Sequence, residues 1–575
     1  MHGHGSAGAH AGPRLIVSPE VHRRRWAILG VLSLSLLITA IDHTIMNVAL
    51  PRMITDLGAT TSQLQWIVDS YTVVFAGLLL AAGALGDRFG RKGALQLGLV
   101  AFLGGSLLAA LSTSAAGVIT ARSVMGVGGA FIMPATLSIL TNAFGDPAER
   151  AKAIGVWAGV SGIGVALGPI AGGYLLEHFS WSSVFWLNVP VVAAALLIGH
   201  RVLPTSKAAD GRALDPLGFV LSITALTALV YSVIEAPAHG WTSGWTVAAL
   251  AGSLALVGLF IGWELHHETP MLDVTLFANP RFSAASVSIT LAFLALAGAI
   301  FIVTQYLQFV LGFSPLRAGL GILPAAAALA VAGPLSAHVA QHLGSRTTIT
   351  VGLGLAALGL CEQALFAESS YLPIAVGQAL FGLGLGLAMA PATDSIMGSL
   401  PAARAGVGSA VNDTTREVGS ALGVAVIGAV AGGVYAHRAG SRFADLRLPR
   451  EEVAAISDNI GAAAHVARGL DPATGGPLMQ IARESFVSAM HAGMWIGAAI
   501  ATAGALVAAT KLSGRARSTA AHGHGHGHGH GHGHGHSLPA HRHRGHGAPV
   551  HGVPHAVATD VASASHREHA LAEHG

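Results

Sequence analysis

A chain of 575 residues that is 52% hydrophobic and only 10% charged has too little polar surface for a soluble protein, because soluble domains carry about 25% charged residues. Its single cysteine, Cys361, excludes an intramolecular disulfide and a thiolate metal cluster. The small net charge of +3 identifies no partner by itself, and none is expected among nucleic acids.

The start, MHGHGSAGAHAGPRLIVSPEVHRRR, is polar and longer than the leading region of a cleavable signal. The first apolar block, from Trp26, is therefore expected to stay as an anchor. Blocks of about 20 apolar residues, enough to cross a bilayer core of about 30 Å, then recur along the chain. Fourteen spans are predicted, the first six near 26–48, 63–84, 94–112, 117–140, 151–173 and 183–202. A pair follows near 216–235 and 244–264, and the last six lie near 282–311, 317–340, 347–367, 372–397, 406–433 and 485–511. The expectation is an all-α polytopic membrane protein.

Arg23, Arg24 and Arg25 precede the first span, and Arg88, Arg91 and Lys92 follow the second. Arg150 and Lys152 follow the fourth, and Arg201, Lys207 and Arg212 follow the sixth. Lys92, Lys152, Lys207 and Lys511 all fall on one side in this count. Positive charge favours the cytoplasmic face. Both termini are therefore expected in the cytoplasm of a cell whose inner membrane holds the chain, with loop 434–484 external. A weak repeat pairs Gly83-x-Leu85, Gly90 and Arg91 with Gly333-x-Leu335, Gly344 and Arg346. The predicted parts are an N-terminal tail 1–25, a six-helix half 26–203, an insert 204–280 with two extra spans, a second half 281–512 and a tail 513–575.

The stretch Gly159–Gly173, GVSGIGVALGPIAGG, holds six glycines within an apolar span. Each costs about 1 kcal/mol in a helix relative to alanine, a load that close helix contact in a membrane can justify. Gly164, Gly168 and Gly172 share one helix face, and Pro169 should bend it. Tight static packing and a moving transporter interface both fit this spacing.

Ionisable residues inside spans cost about 3 kcal/mol or more and are functional by default. Asp42 follows Arg25 by 17 residues, or about 25 Å of helix at 1.5 Å per residue, which is expected to put it in the outer third of the bilayer. Asp69 and Arg122 each lie a few residues into a span from the outer side. The three are expected to form a carboxylate–arginine cluster that takes up and releases a proton, or else a static ion pair; Asp69 has a second reading, contact with a cationic substrate. A second group comprises Asp394, Asp413, Arg416 and Glu417. Asp413, Arg416 and Glu417 share a helix face. Glu417 is the second proton-carrying candidate, and Asp413 with Arg416 reads as a structural pair. Glu235 and Glu264 read as interfacial anchors. Trp66, Tyr71, Phe301 and Tyr306 are candidate lining of a lipophilic cavity, or ordinary interfacial aromatics.

The loop Gly83-Ala-Leu-Gly-Asp87-Arg88-Phe-Gly90-Arg91-Lys resembles the signature loop of the major facilitator superfamily. Ile41-Asp42-His-Thr44-Ile-Met-Asn47-Val-Ala49-Leu-Pro51 and Gln65-Trp66-Ile-Val-Asp69-Ser-Tyr71 resemble the first two helix motifs of its fourteen-span drug:proton antiporters of the EmrB/QacA type. Arg122 with Gly126 and Gly128 resembles the fourth-helix motif, with Met125 in place of the usual glutamine. Gly164-x-x-x-Gly168-Pro169-x-x-Gly172-Gly173 resembles the antiporter motif, and Trp181 to Pro190 resembles the start of the sixth helix, with Ser182 in place of arginine. The resemblance spans 26–512 and implies two six-helix halves with two additional central helices. It also implies a loop whose Asp87 latches the outward-facing state against the helix start near Gly406.

From His522 histidine alternates with glycine through His524, His526, His528, His530, His532, His534 and His536. Imidazoles suit Ni²⁺, Zn²⁺, Cu²⁺ or Co²⁺, so adventitious metal binding is expected on a disordered tail. No other cofactor is expected, the proton being the coupling ion. The leading function is proton-coupled export of lipophilic or cationic small molecules by alternating access, by a monomer in contact with membrane lipids. The alternative is export of an endogenous metabolite, antibiotic, siderophore or metal chelate by the same antiport. A different class is a metal-binding or metal-sensing membrane protein acting through the tail. The absence of HExxH, a nucleophile elbow and a P-loop argues against an enzyme and against direct ATP drive.

Overall fold

The computed structural model describes residues 18–205, 215–368, 370–400, 405–443 and 448–512. Among the described residues fourteen helical segments, two of them sharing one kinked helix, are long and apolar enough to cross a membrane, and they coincide with the fourteen spans read from the sequence. The first half is built from α1 (Pro19–Leu57), α2 (Thr61–Phe89), α3 (Arg91–Leu111), α4 (Ala115–Ala143), α5 (Pro147–His178), α6 (Ser183–Trp186) and α7 (Asn188–Val202). The insert forms α8 (Pro216–His239) and α9 (Gly244–His266). The second half holds α10 (Pro280–Gln305), α11 (Pro315–Gly321), α12 (Leu323–Phe366), α13 (Tyr371–Met397), α14 (Ala405–Phe443), α15 (Arg450–Asp458), α16 (Ile460–Gly469) and α17 (Pro472–Lys511). An even number of spans puts Ser18 and Leu512 at one end of the bundle, called the tail end here; the other is the far end.

The helix limits follow local chemistry. At the start of α2, Thr60 and Gln63 form a reciprocal cap: Gln63 N donates to Thr60 Oγ1 at 3.2 Å, and Thr60 N donates to Gln63 Oε1 at 3.1 Å. The sequence repeat has a structural counterpart. Gly90, between α2 and α3, and Gly344, between the two spans of α12, both adopt positive φ, at 123° and 81°. Each ends one span and begins the next, a turn that only glycine makes without strain.

The connection 434–484 was expected as a loop and is largely helical. α14 continues to Phe443, α17 begins at Pro472, and α15 and α16 fill most of the interval. These segments are polar on one side, so no apolar block announces them. They dock on the first half at the far end. There, Thr61 N donates to Asp458 Oδ2 at 2.8 Å, and Asn459 Nδ2 donates to the Ala59 carbonyl at 3.3 Å.

Other bonds between the halves also gather at the far end. Gln65 Nε2 donates to the Val424 and Ala425 carbonyls at 3.1 and 3.2 Å, and Gln308 Nε2 donates to the Val48 carbonyl at 3.1 Å. Near the tail end, Arg25 Nε and Nη2 of α1 donate to Glu149 of α5 at 2.9 and 3.0 Å, while one glycine-bearing face of α5 has no close neighbour. A Cβ built on Gly155, Gly159 or Gly162 would meet nothing within 4 Å, and Val156 and Ile163 are exposed. Hydrogen bonds join the halves toward the far end, and toward the tail end the Gly155–Gly162 face of α5 is uncovered. Within the insert, α8 packs on α2 and α14, whereas only 11% of the α9 span is buried.

Candidate functional site

The expected pairing of Asp42 with Arg122 is present. Asp42 lies midway along α1 and Arg122 on α4, and their side chains are 0% and 1% exposed. Arg122 Nη1 donates to Asp42 Oδ2, and Asn188 Nδ2 donates to Asp42 Oδ1 at 2.9 Å. Arg122 Nε donates to the Ile67 carbonyl at 3.1 Å, and its guanidinium lies 4.4 Å from the centre of the Tyr71 ring. Four helices thus converge on one buried charge pair, each supplying a group that fixes the fork of the arginine or the plane of the carboxylate. Asn188 Nδ2 also donates to Ser106 Oγ at 3.2 Å. Ser106 was not singled out in the sequence; the only signal was a lone hydroxyl in an apolar span. The His43 ring lies 6.1 Å from Tyr71, on the rim of the same cluster.

Asp69 does not join this cluster, contrary to expectation. The reason is helical rotation. At 3.6 residues per turn, Asp69 and Tyr71 point about 200° apart on α2. The Tyr71 side faces α4, where the Tyr71 hydroxyl would crowd any Cβ placed on Gly129. Asp69 faces away, fully buried, and neither of its carboxylate oxygens has a hydrogen-bond partner.

The second group is also arranged differently from its spacing. Asp413 and Arg416 form no salt bridge. Asn412 Nδ2 donates to Asp413 Oδ1 at 3.3 Å, while Arg416 Nη2 donates to Thr393 Oγ1 on α13 at 3.2 Å and its guanidinium lies 5.4 Å from the Phe293 ring centre. Asp394 is exposed at the tail end of α13 and takes no part. Glu417 points inward with Oε2 buried and without a partner. Of the four aromatic candidates, Phe301 and Tyr306 are packed between helices, not against a cavity. A Cβ on Gly428 would lie 3.2 Å from Phe301, and the Tyr306 hydroxyl donates to the Glu368 carbonyl at 3.1 Å. Tyr71 is taken up by Arg122, and Trp66 alone is partly exposed.

The antiporter motif forms the close contact its glycines require. Gly164 faces Ala40 and Leu37 of α1, Gly168 faces Ile41 and Thr44, and Gly172 faces Ile45. Gly173 lies against Pro315 and Leu316 of α11, and Gly319 against the Pro169 carbonyl, so the same helix also touches the second half. In the signature loop, Gly83 packs on Pro134, Gly90 makes the turn, Arg88 covers the Phe89 ring and Arg91 opens α3. The Asp87 side chain, the residues just before Gly406 and the histidines 522–536 lie outside the described residues.

Twelve membrane-length helices in two halves and two in the insert, with a buried charge pair in the first half, define an integral multi-pass transporter. The chain belongs to the Major Facilitator Superfamily, whose pattern it matches over residues 32–424. It is 37% identical to the multidrug efflux pump LfrA of Mycolicibacterium smegmatis, over 84% of this chain and 95% of that protein. It is 36% identical to the methyl viologen resistance protein SmvA of Salmonella typhimurium, over 81% and 93%. It is 33% identical to the tetracenomycin C resistance and export protein of Streptomyces glaucescens, over 84% and 91%. Among solved structures, a bacterial homologue of the human lysosomal transporter Spinster shares the fold, with a TM-score of 0.62 at 18% identity over 86% of this chain and 98% of that one.

Proposed function

We propose that this chain exports lipophilic, often cationic, small molecules across the inner cell membrane in exchange for protons, as a monomer with both termini in the cytoplasm. The observation that carries the coupling is the Asp42–Arg122 pair, buried and held by Asn188, Ile67 and Tyr71. A proton on Asp42 removes one charge of the pair and leaves Arg122 without its counter-charge. In a low-dielectric site this is worth enough to re-aim side chains on several helices at once. Glu417, whose buried Oε2 has no donor, serves as the second carrier in the other half.

With the tail end cytoplasmic, the bonds between the halves toward the far end support the inward-open state, in which substrate enters and the proton leaves. The uncovered face of α5 and its close contact with α1 and α11 support a sliding of that helix as the halves rock. The names of the relatives support drugs and methyl viologen as cargo, and the tetracenomycin exporter supports a narrower natural-product cargo as the second reading.

The first test uses inside-out vesicles with a pH-sensitive dye. Adding ethidium or methyl viologen should dissipate the proton gradient with the wild type and not with Asp42→Asn. If neither compound nor a wider cation panel does so, while a polyketide does, the second reading replaces the first. Removing residues 513–575 tests the metal-sensing alternative. Transport is expected to stay within about twofold, because the tail holds none of the residues that make the charge pair; a loss greater than about tenfold, restored by Ni²⁺ or Zn²⁺ only in the full chain, would assign the tail the central role.

A further inference from the structure

The insert is not a remote appendage: α8 lies along α2 in register. Ser62 Oγ donates to Glu235 Oε1 at 2.6 Å, the Trp66 and Tyr231 rings lie 6.2 Å apart, and Ser222 Oγ donates to the Gly77 carbonyl at 3.3 Å. Residues 62, 66, 69, 73 and 77 recur at helical spacing and form the stripe of α2 that meets α8. Asp69 lies on this stripe between Trp66 and Val73. Both neighbours pack into one small apolar cluster with Val230 and Ile234 of α8 and Ala421 and Ala425 of α14. The cluster therefore joins the first half, the insert and the second half.

Two independent observations point to a ligand here. Asp69 is wholly buried, and both carboxylate oxygens lack a donor. The cluster beside it is built of valine, isoleucine and alanine from α2, α8 and α14, so a charge with no donor is left uncompensated unless a guest supplies one. The second observation is a line of aromatic rings leading from this carboxylate to the surface. Trp66 meets Tyr231, Tyr231 meets Trp245 at 6.1 Å, and Trp245 stacks on His239 at 4.0 Å. Tyr231 and Trp245 are 45% and 38% exposed. Glu235 lies one turn from both Tyr231 and His239, so carboxylates stand at each end of the aromatic line.

We infer that the junction of α2, α8 and α14 binds a lipophilic aromatic cation, with Asp69 as counter-charge and Trp66, Tyr231 and Trp245 as a wall that opens toward lipid. The chemistry suits such a guest alone. Its positive charge answers Asp69 and is drawn to the ring faces, while its apolar body replaces lipid contact. Neutral cargo gains nothing from the carboxylate, and small hydrated cations gain nothing from the rings. The inference rests on the exporter reading above and adds to it a location and a role for the insert.

The test measures ethidium binding to the full chain in lipid nanodiscs by fluorescence polarisation. The Tyr231→Ala/Trp245→Ala pair should weaken binding by about tenfold or more, and Tyr231→Phe by no more than about twofold, because the ring face and not the hydroxyl holds the cation. Asp69→Asn should abolish saturable binding. A second measurement covers misfolding of the double variant. With Cys361→Ser, a cysteine at Tyr231 is alkylated by a lipid-permeable maleimide, and ethidium should slow that reaction by about fivefold or more at saturation. If the double variant binds like wild type, or ethidium gives no protection, the rings are an interfacial aromatic girdle only and the inference fails while export stands. If wild type binds neither ethidium nor methyl viologen nor any member of the wider cation panel, the cation-export reading fails with it.

Discussion

Asp42 and Arg122 share one buried pair, and that makes their substitutions unequal. Asp42→Asn keeps the shape and the bond from Asn188 but leaves the Arg122 charge uncompensated among α1, α2 and α4. Breaking a buried pair from one side costs about 3–5 kcal/mol. The single variant should therefore melt well below wild type in detergent, and Asp42→Asn/Arg122→Gln should recover most of that loss. Neither should couple drug movement to protons. A double variant that still acidified or alkalinised vesicles on drug addition would remove Asp42 from the coupling step. Asp69→Asn is the contrasting case: no donor is lost, because none is present, so its melting temperature should stay at or above that of wild type. The pair was legible in the sequence because charges inside spans are costly enough to need each other. The separation of Asp69 was not legible from depth alone. Depth along a helix follows from counting residues, but which neighbour a side chain meets depends on rotation, and two positions along α2 reverse it.

Among elements, α5 shows how unevenly glycine matters along one helix. At Gly168 a new Cβ would meet the Ile41 carbonyl at 2.8 Å and collide with Thr44. At Gly162 it would meet nothing within 4 Å. Gly168→Ala is accordingly expected to cost about 1–3 kcal/mol through overpacking and to slow transport. Gly162→Ala should be harmless or gain up to about 1 kcal/mol from helix propensity. Melting curves and dye efflux from the same preparations test both, and equal effects at the two sites would contradict the close α1–α5 contact. The glycine period was readable because a four-residue repeat defines a face, though not its partner. Residue spacing misled at Asp413 and Arg416: three residues apart on α14 suited a local pair, but Thr393 of α13 takes the arginine instead. Likewise α15 and α16 gave no warning, since a surface helix with a polar face lacks the apolar length by which spans are found.

For the molecule as a whole, the fourteen spans and their two-half order were legible, because a bilayer forces helices of one length and composition. The state in which the halves stand was not, because the same contacts serve a rocking pair in either direction. The far-end junction can be held by chemistry. Thr61 Cβ stands 4.0 Å from the position a Cβ would take on Gly432, so cysteines at these two sites lie within disulfide reach. In a Cys361→Ser background, oxidation of the Thr61→Cys/Gly432→Cys protein should arrest efflux and a reducing agent should restore it. Continued efflux by the cross-linked form would mean that the far end need not open. The near-complete lipid exposure of α9 bears on the protein's surroundings in another way. With 23 residues, or about 34 Å at 1.5 Å per residue, and α8 as its principal support, this helix can tilt as the membrane thins or thickens. Host lipids of different acyl-chain length are therefore expected to change how tightly α8 is pressed against α2, and transport rates compared in bilayers of two thicknesses would check it.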